Sequence, residues 1–273
     1  MRIGLIGCGR VGVTLFCLLK KNNTIVGVHD RNRQRERSAA RLLKIESNPP
    51  YHGLIDRCEA IFLATPDDEI LKAYARMRKY TKGTKYVFHF SGILAADIIP
   101  RTHNAYRASV HPFATFPRIA VPAGNAHYHL SIEGDAQALR ACRKIFSKKN
   151  FTLKRIRKKD KTLYHLVGVF SSNLLVALVS SAGRIAGRIG WKREEIRQMM
   201  IPIIEQTIRN IERYGIEGAL SGPLQRGDTG VVKKHLAALR YDKDLIDVYR
   251  SLSRAMLDRR SVRSKPALKS LLR

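Results

Sequence analysis

The chain has 273 residues, 44% of them hydrophobic, enough to bury one large core or two ordinary ones. That composition excludes collagenous, low-complexity and disordered classes. Fifty-one Lys and Arg stand against 22 Asp and Glu, a formal net charge of +29, which admits a small acid, nucleic acid or a membrane surface as partner.

The chain opens Met1-Arg2-Ile3-Gly4-Leu5-Ile6, an apolar run too short for a signal peptide. Cys8, Cys17, Cys58 and Cys142 are scattered, with no CxxC pair and no metal-ligand spacing. Both features predict a cytoplasmic protein with buried thiols and no metal.

Gly7-Cys8-Gly9-Arg10-Val11-Gly12 follows that first apolar strand and opens an apolar helix. In this context G-x-G-x-x-G is a dinucleotide signature. Gly7 permits the turn, Gly9 lets a pyrophosphate approach, and Gly12 lets the helix pack on the strand. The amides of Arg10 and Val11, at the helix N-terminus, face the phosphate charge. The next strand, 24–29, ends at Asp30-Arg31. Asp30 there suits the ribose hydroxyls of NAD, whereas Arg31, Arg33 and Arg35 suit the 2′-phosphate of NADP. The balance leans slightly to NADP.

Further strands are expected at 60–65, 85–90, 107–110, 129–133 and 151–156, with helices at 11–20, 33–43, 67–78 and 136–146 between strands. This alternation predicts an α/β, doubly wound parallel Rossmann sheet over residues 1–158. Thr65 and Pro66 close the 60–65 strand, and Ser91 follows the 85–90 strand. All three then lie at carboxyl ends of strands, where an open α/β sheet binds its ligand.

After residue 158 the pattern turns helical: 162–189, 194–214, 230–240 and 244–259. An all-α domain for substrate and dimerisation is expected at 159–258, followed by a frayed basic tail at 259–273. The segment 163–183 is apolar enough to raise a membrane span, but His165, Ser171, Ser172 and Asn173 interrupt it. It reads as a core helix, covered by the second copy of a homodimer, with no membrane.

His111-Pro112 ends a strand, and His165, Ser172 and Asn173 share a face of the long helix at spacings of seven and eight. Hydride transfer to a carbonyl needs a proton donor, and a histidine supplies one near neutral pH. Asn173 could orient the carbonyl. His111, His165, Ser172 and Asn173 are therefore the catalytic candidates. His29, His52, His103, His127, His129 and His235 read as incidental. Arg226 and Asp228, in a Gly-Pro turn, either pair with each other or bind a substrate carboxylate.

Six segments together resemble a known family. They are residues 7–12, Ala64-Thr65-Pro66-Asp67, Phe88-His89-Phe90-Ser91-Gly92, and the stretch 109–116 that begins Ser109-Val110-His111-Pro112. In the second half they are 165–173 and Ser221-Gly222-Pro223-Leu224-Gln225-Arg226-Gly227-Asp228. The family consists of Rossmann-type proteins whose helical C-terminal half is a domain of unknown function. Its architecture is similar to pyrroline-carboxylate reductases, ketopantoate reductases and 3-hydroxyacid dehydrogenases. The resemblance implies a dimeric NAD(P)-dependent oxidoreductase acting on a small anionic substrate, with 2-dehydropantoate reduced to pantoate as the first choice. The Lys-x-x-x-Asn pattern of the hydroxyacid dehydrogenases is absent, because Val169 stands four residues before Asn173; His165 or Lys161 would substitute. A prephenate-type dehydrogenase is the second reading, on Ser109-Val110-His111-Pro112. A non-catalytic dinucleotide sensor or nucleic-acid-binding protein is the third, on charge alone. The even spread of basic residues and the 7% aromatic content weigh against nucleic acid.

Overall fold

A computed structural model describes residues 1–123, 125–257 and 262–273. The chain divides into two compact units, Met1–Leu174 and Leu175–Arg273. The expected boundary at 158/159 falls on a 3₁₀ turn, Lys158–Asp160, that leads into the long helix. The expected end of the helical domain at 258 lies outside the described residues.

The first unit is built on a seven-stranded sheet: β1 (Arg2–Ile6), β2 (Thr24–His29), β3 (Ala60–Leu63), β4 (Lys85–His89), β5 (Ala105–Pro112), β6 (Tyr128–Gly134) and β7 (Phe151–Arg155), in the order β2-β1-β3-β4-β5-β6-β7. Strand order reverses at β1, so a crevice opens beyond the carboxyl ends of β1 and β3. The central strands β1 and β3 are buried on both faces. Ile3 and Leu5 of β1 and Ala60 and Phe62 of β3 point to one core; Ile6, Ile61 and Leu63 point to the other. Such two-sided burial explains why β1 and β3 read as continuous apolar runs rather than alternating ones. Helix α1 (Arg10–Leu19) fills the first core with Val13, Leu15 and Phe16; the Phe16 ring sits edge-on to Phe62 at 5.4 Å. Helices α2 (Arg33–Leu43), α3 (Tyr51–Arg57), α4 (Ile70–Arg78) and α5 (Ala136–Ile145) complete the two layers.

The sheet is parallel except between β5 and β6. A parallel return needs a crossover, usually helical. The connection after β5 carries Pro117 and Pro122, and its described residues contain no helix. β5 is also longer than the expected 107–110, because it runs on to Pro112 alongside β6.

The long apolar helix begins as α6 (Lys161–Gly168), passes through a π-helical turn at Val169–Asn173, and continues as α7 (Leu174–Arg188). A π turn absorbs one extra residue. On it Ser172 is half-buried, as His165 is, whereas Asn173 is exposed.

In the second unit, α8 (Arg193–Ala219) contains Pro202 and kinks at Gly215, whose φ is +72°. Then follow α9 (Pro223–Arg226), α10 (Thr229–Ala238), α11 (Lys243–Leu257) and α12 (Lys265–Leu271). The tail expectation is corrected here. Residues 259–261 lie outside the described set, but Val262, Leu268 and Leu272 are buried against Val232 and Leu257. Val262 before the helix, and Leu268 and Leu272 four residues apart along it and at its end, outweigh the surrounding basic residues and dock the segment carrying α12.

Candidate active site

The glycine loop forms one wall of a crevice of about 1400 Å³. Gly7 has φ +96°, and a Cβ there would lie 2.6 Å from the Ala64 carbonyl oxygen; only glycine fits both constraints. At Gly12 a Cβ would meet the Ala64 Cβ at 2.7 Å, so this glycine sets the approach of α1 to β3. Gly9 faces open space, its nearest neighbour 3.8 Å away, and it starts α1 with no side-chain cap. The first amides of a ten-residue helix are thus left for an anion.

Gly7, Cys8, Gly9, Arg10, Val11, Asp30, Arg31, Thr65 and Pro66 all line this crevice. Gly12 lies beneath it, as its packing role requires. Asp30 already has work to do: one carboxylate oxygen accepts the Cys8 amide at 2.7 Å and the other accepts the Asn32 amide at 2.8 Å. The side chain expected to read the ribose lines the crevice and also fixes the glycine loop against the end of β2. Beyond it, Arg31, Gln34, Arg35 and Ser38 line one end of the crevice. Arg31 also reaches Glu69 at 3.3 Å, through an exposed guanidinium.

Several lining residues escaped sequence reasoning, His29, Tyr51 and Arg76 among them. His29 had been set aside as incidental, yet it lines the crevice beside Tyr51 and Arg76. Its Nδ1 pairs with Glu36 at 3.0 Å, and burial pushes its pKa down. The Tyr51 ring packs on His29 at 4.5 Å under the Arg76 guanidinium, 4.8 Å above its centre. His29 Nε2, the Tyr51 hydroxyl and the Thr65 hydroxyl are buried without a hydrogen-bond partner. Orphaned polar atoms along a ligand crevice are what a dinucleotide with polar edges would satisfy. The residues present therefore fit NAD(P).

A second group of side chains sits at the carboxyl ends of β4 and β5. Register places His89 opposite Ser109, Ser109 opposite Glu133, and His111 opposite Ser131. His89 is fully buried. Its Nδ1 accepts from the Ser91 amide at 3.3 Å, so Nε2 carries the proton and donates to the Ala95 carbonyl at 3.2 Å. Burial, then the charge of Lys161, lowers its pKa to about 4. His89 pins the turn that follows β4.

Ser91 does not line the crevice. Its hydroxyl donates to Asp67 at 2.8 Å and accepts from the Leu94 amide at 3.0 Å, tying that turn to the residue after Pro66. Gly92 comes next, and here the two catalytic histidine candidates meet. A Cβ on Gly92 would lie 2.7 Å from both His111 Nε2 and His165 Nδ1. Any larger residue would displace both rings. His111 Nδ1 is 3.3 Å from the Tyr164 hydroxyl, and the His111 and His165 rings are 6.0 Å apart at 69°. Burial, followed by the charges of Lys161 and His165, holds His111 down at about 4. His111 and His165, 54 positions apart in sequence, are thus brought together. Ser172 is half-buried and Asn173 exposed, both on the π turn.

In the second unit, Arg226 and Asp228 pair with each other at 2.8 and 2.9 Å. Among the described residues no group of three or more His, Cys, Asp or Glu could hold a metal.

Two family models match parts of the chain. Residues 2–87 match the family model described as NADP oxidoreductase, coenzyme F420-dependent, and residues 128–256 match a domain of unknown function, DUF2520. No curated protein matches the sequence. Among solved structures, a Bacteroides fragilis protein provisionally assigned as an NADP oxidoreductase has 20% identity and a TM-score of 0.77, over 93% of this chain and 97% of its own. A Thermotoga maritima protein has 22% identity and a TM-score of 0.68, over 99% and 100%. Plasmodium falciparum pyrroline carboxylate reductase, solved with NADP, has 12% identity and a TM-score of 0.61, over 94% and 98%. These structures share the fold. The N-terminal match, together with the crevice that its residues line, marks an NAD(P)-binding oxidoreductase domain, followed by a DUF2520 domain.

Proposed function

We propose that the protein reduces the carbonyl of a small 2-oxo acid to a hydroxyl, with 2-dehydropantoate the first candidate. The observation that carries this reading is the convergence of His111 and His165 on Gly92. One short path, Pro66–Asp67–Ser91–Gly92, links that pair to the crevice wall. Bound in the crevice, a reduced nicotinamide supplies the hydride. His165 donates the proton that the developing alkoxide requires. His111 is neutral and offers a hydrogen bond to the substrate. Asn173 orients the carbonyl, and Ser172 flanks it.

NADP is the preferred cofactor. Asp30, the group that would repel a 2′-phosphate, already accepts two amides, while Arg31 and Arg35 stand at the same end of the crevice. Small anionic substrates also suit a chain of net charge +29.

The protein acts as a homodimer in this reading. The helical stretch Lys158–Arg188 contains a window of mean hydropathy 1.7 with none of it buried, long and apolar enough by length and composition to cross a membrane. Leu163, Val167, Phe170 and Val176 are each more than half exposed. A second copy that covers this face removes the cost of its exposure. Light scattering should give twice the chain mass; a detergent-free monomer at micromolar concentration refutes the dimer.

The deciding experiment follows NADPH and NADH absorbance with and without 2-dehydropantoate, in the native protein and His165→Ala. Substrate-dependent oxidation of NADPH that collapses in the variant is expected. Binding of NADPH with no turnover on that acid refutes the substrate. Prephenate, assayed alongside in the oxidative direction, tests the second reading, which the position of His111 at the end of β5 favours.

A further inference from the structure

Lys161 is the first residue of α6 and is only 1% exposed. Its Nζ donates to Ser109 Oγ at 2.7 Å and reaches the Ser91 carbonyl at 3.4 Å, and Ser109 Oγ itself donates to that carbonyl at 3.1 Å. Neither acceptor is charged. The carboxylates whose charge it feels, Glu133 in β6 and Asp67 after β3, are already engaged by the Ala96 amide and the Ser91 hydroxyl. A buried ammonium without a directly bonded carboxylate is costly, and an apolar side chain would fill the space at less expense. The charge itself therefore has a use.

What the ammonium faces identifies that use. On the sheet, His89 lies across the register from Ser109, and His111 lies two residues along β5 on the same face. On its own helix, Tyr164 and His165 follow by one turn. Above Ser109 is the Ser91–Gly92 turn, against which His111 and His165 both rest.

We propose that Lys161 is a positioning residue for the histidine pair: it ties the Ser91–Gly92 turn to Ser109, and its positive charge keeps His111 neutral. The proposal rests on the reading of His165 as proton donor. Two like charges beside one buried ammonium are mutually unfavourable. His111, the ring on the sheet, stays neutral, with one nitrogen to donate and one to accept. The low pKa of His111, at about 4 and owed first to burial and next to Lys161, agrees with this.

The test titrates histidine C2 protons and ring nitrogens by NMR in the full-length, ligand-free chain, for the native protein, Lys161→Gln, Lys161→Met and Lys161→Arg. Gln keeps donors for Ser109 and Ser91 without the charge. In Lys161→Gln the His111 midpoint should rise by roughly one unit or more, with a smaller rise at His89. Lys161→Arg should keep His111 low. An unchanged His111 midpoint in a folded, neutral variant overturns the proposal. So does a doubly protonated His111 in the native protein at about pH 6, a result that needs no variant to fold. The midpoint is read without substrate, so a failed turnover assay leaves this test standing and counts only against the reductase reading.

Discussion

The two ends of the site are made of different material. The cofactor end is built from backbone: a glycine turn, the free amides of α1, and a loop held by Asp30. The chemical end is built from side chains: His111, His165 and Lys161, steadied by Ser91 and Ser109. Backbone sites tolerate no added atom but are indifferent to most side chains. Side-chain sites are the reverse, sensitive to each functional group and to the charge beside it. Substitutions at the two ends should therefore fail in separable ways.

The largest effect is expected at the cofactor end. Gly7→Ala places a Cβ 2.6 Å from a carbonyl oxygen at φ +96°, where strain alone costs about 1–3 kcal/mol before the clash is counted. NADPH binding, followed by fluorescence, should be lost, and the melting temperature should fall. A variant that binds normally would break the claim that this end is closed to added atoms. At the other end, His165→Ala should lower turnover by about a hundred- to ten-thousandfold while nucleotide binding stays native. Loss of both together would erase the distinction between the ends.

That distinction also explains what the sequence disclosed. The glycine loop, Asp30-Arg31 and Thr65-Pro66 were legible because local spacing dictates a strand–turn–helix and its ligand. The sheet was legible because β1 and β3 are unbroken apolar runs. The antiparallel β5–β6 pair was not, since only the lack of a crossover helix signals it. His111 and His165 were legible singly, through strand-end and helix positions. Their meeting at Gly92 was not, because it depends on register between segments far apart in sequence. Lys161 was noted only as a possible substitute for a missing lysine. Burial of a cation cannot be read from one Lys among fifty-one basic residues. Tyr51 and Arg76 gave no signal, because α3 and α4 reach the crevice only through packing. The basic tail misled for the opposite reason: charge is conspicuous in a sequence, whereas three buried apolar residues are not.

The chemical end should also show in stability against pH. His89 and His111 have folded pKa values of about 4, below the reference of 6.5. Between those limits the unfolded chain binds protons that the native state does not, so stability rises with pH. It is fully present above about 6.5 and is lost as pH falls toward about 4. Each histidine should contribute roughly a tenfold fall in the folding equilibrium per pH unit within that window. Chemical denaturation at a series of pH values reads the slope. His89→Gln and His111→Gln should each flatten it, and an unchanged slope in both would mean that these rings are charged in the native state.

The smallest effect concerns the discriminating edge of the cofactor end, the one place where that end relies on side chains. Arg35 lines the crevice near Asn32, whose side chain accepts the Arg35 amide at 3.0 Å and caps α2. That cap uses backbone, so Arg35→Ala leaves it intact and removes only the guanidinium. An exposed charge-assisted contact to a phosphate is worth about 1–2 kcal/mol. NADPH affinity should then fall roughly tenfold while NADH affinity holds. Equal losses for both nucleotides would mean that Arg35 shapes the crevice as a whole. No loss for either would move the 2′-phosphate to Arg31, whose contact with Glu69 would then have to yield to it.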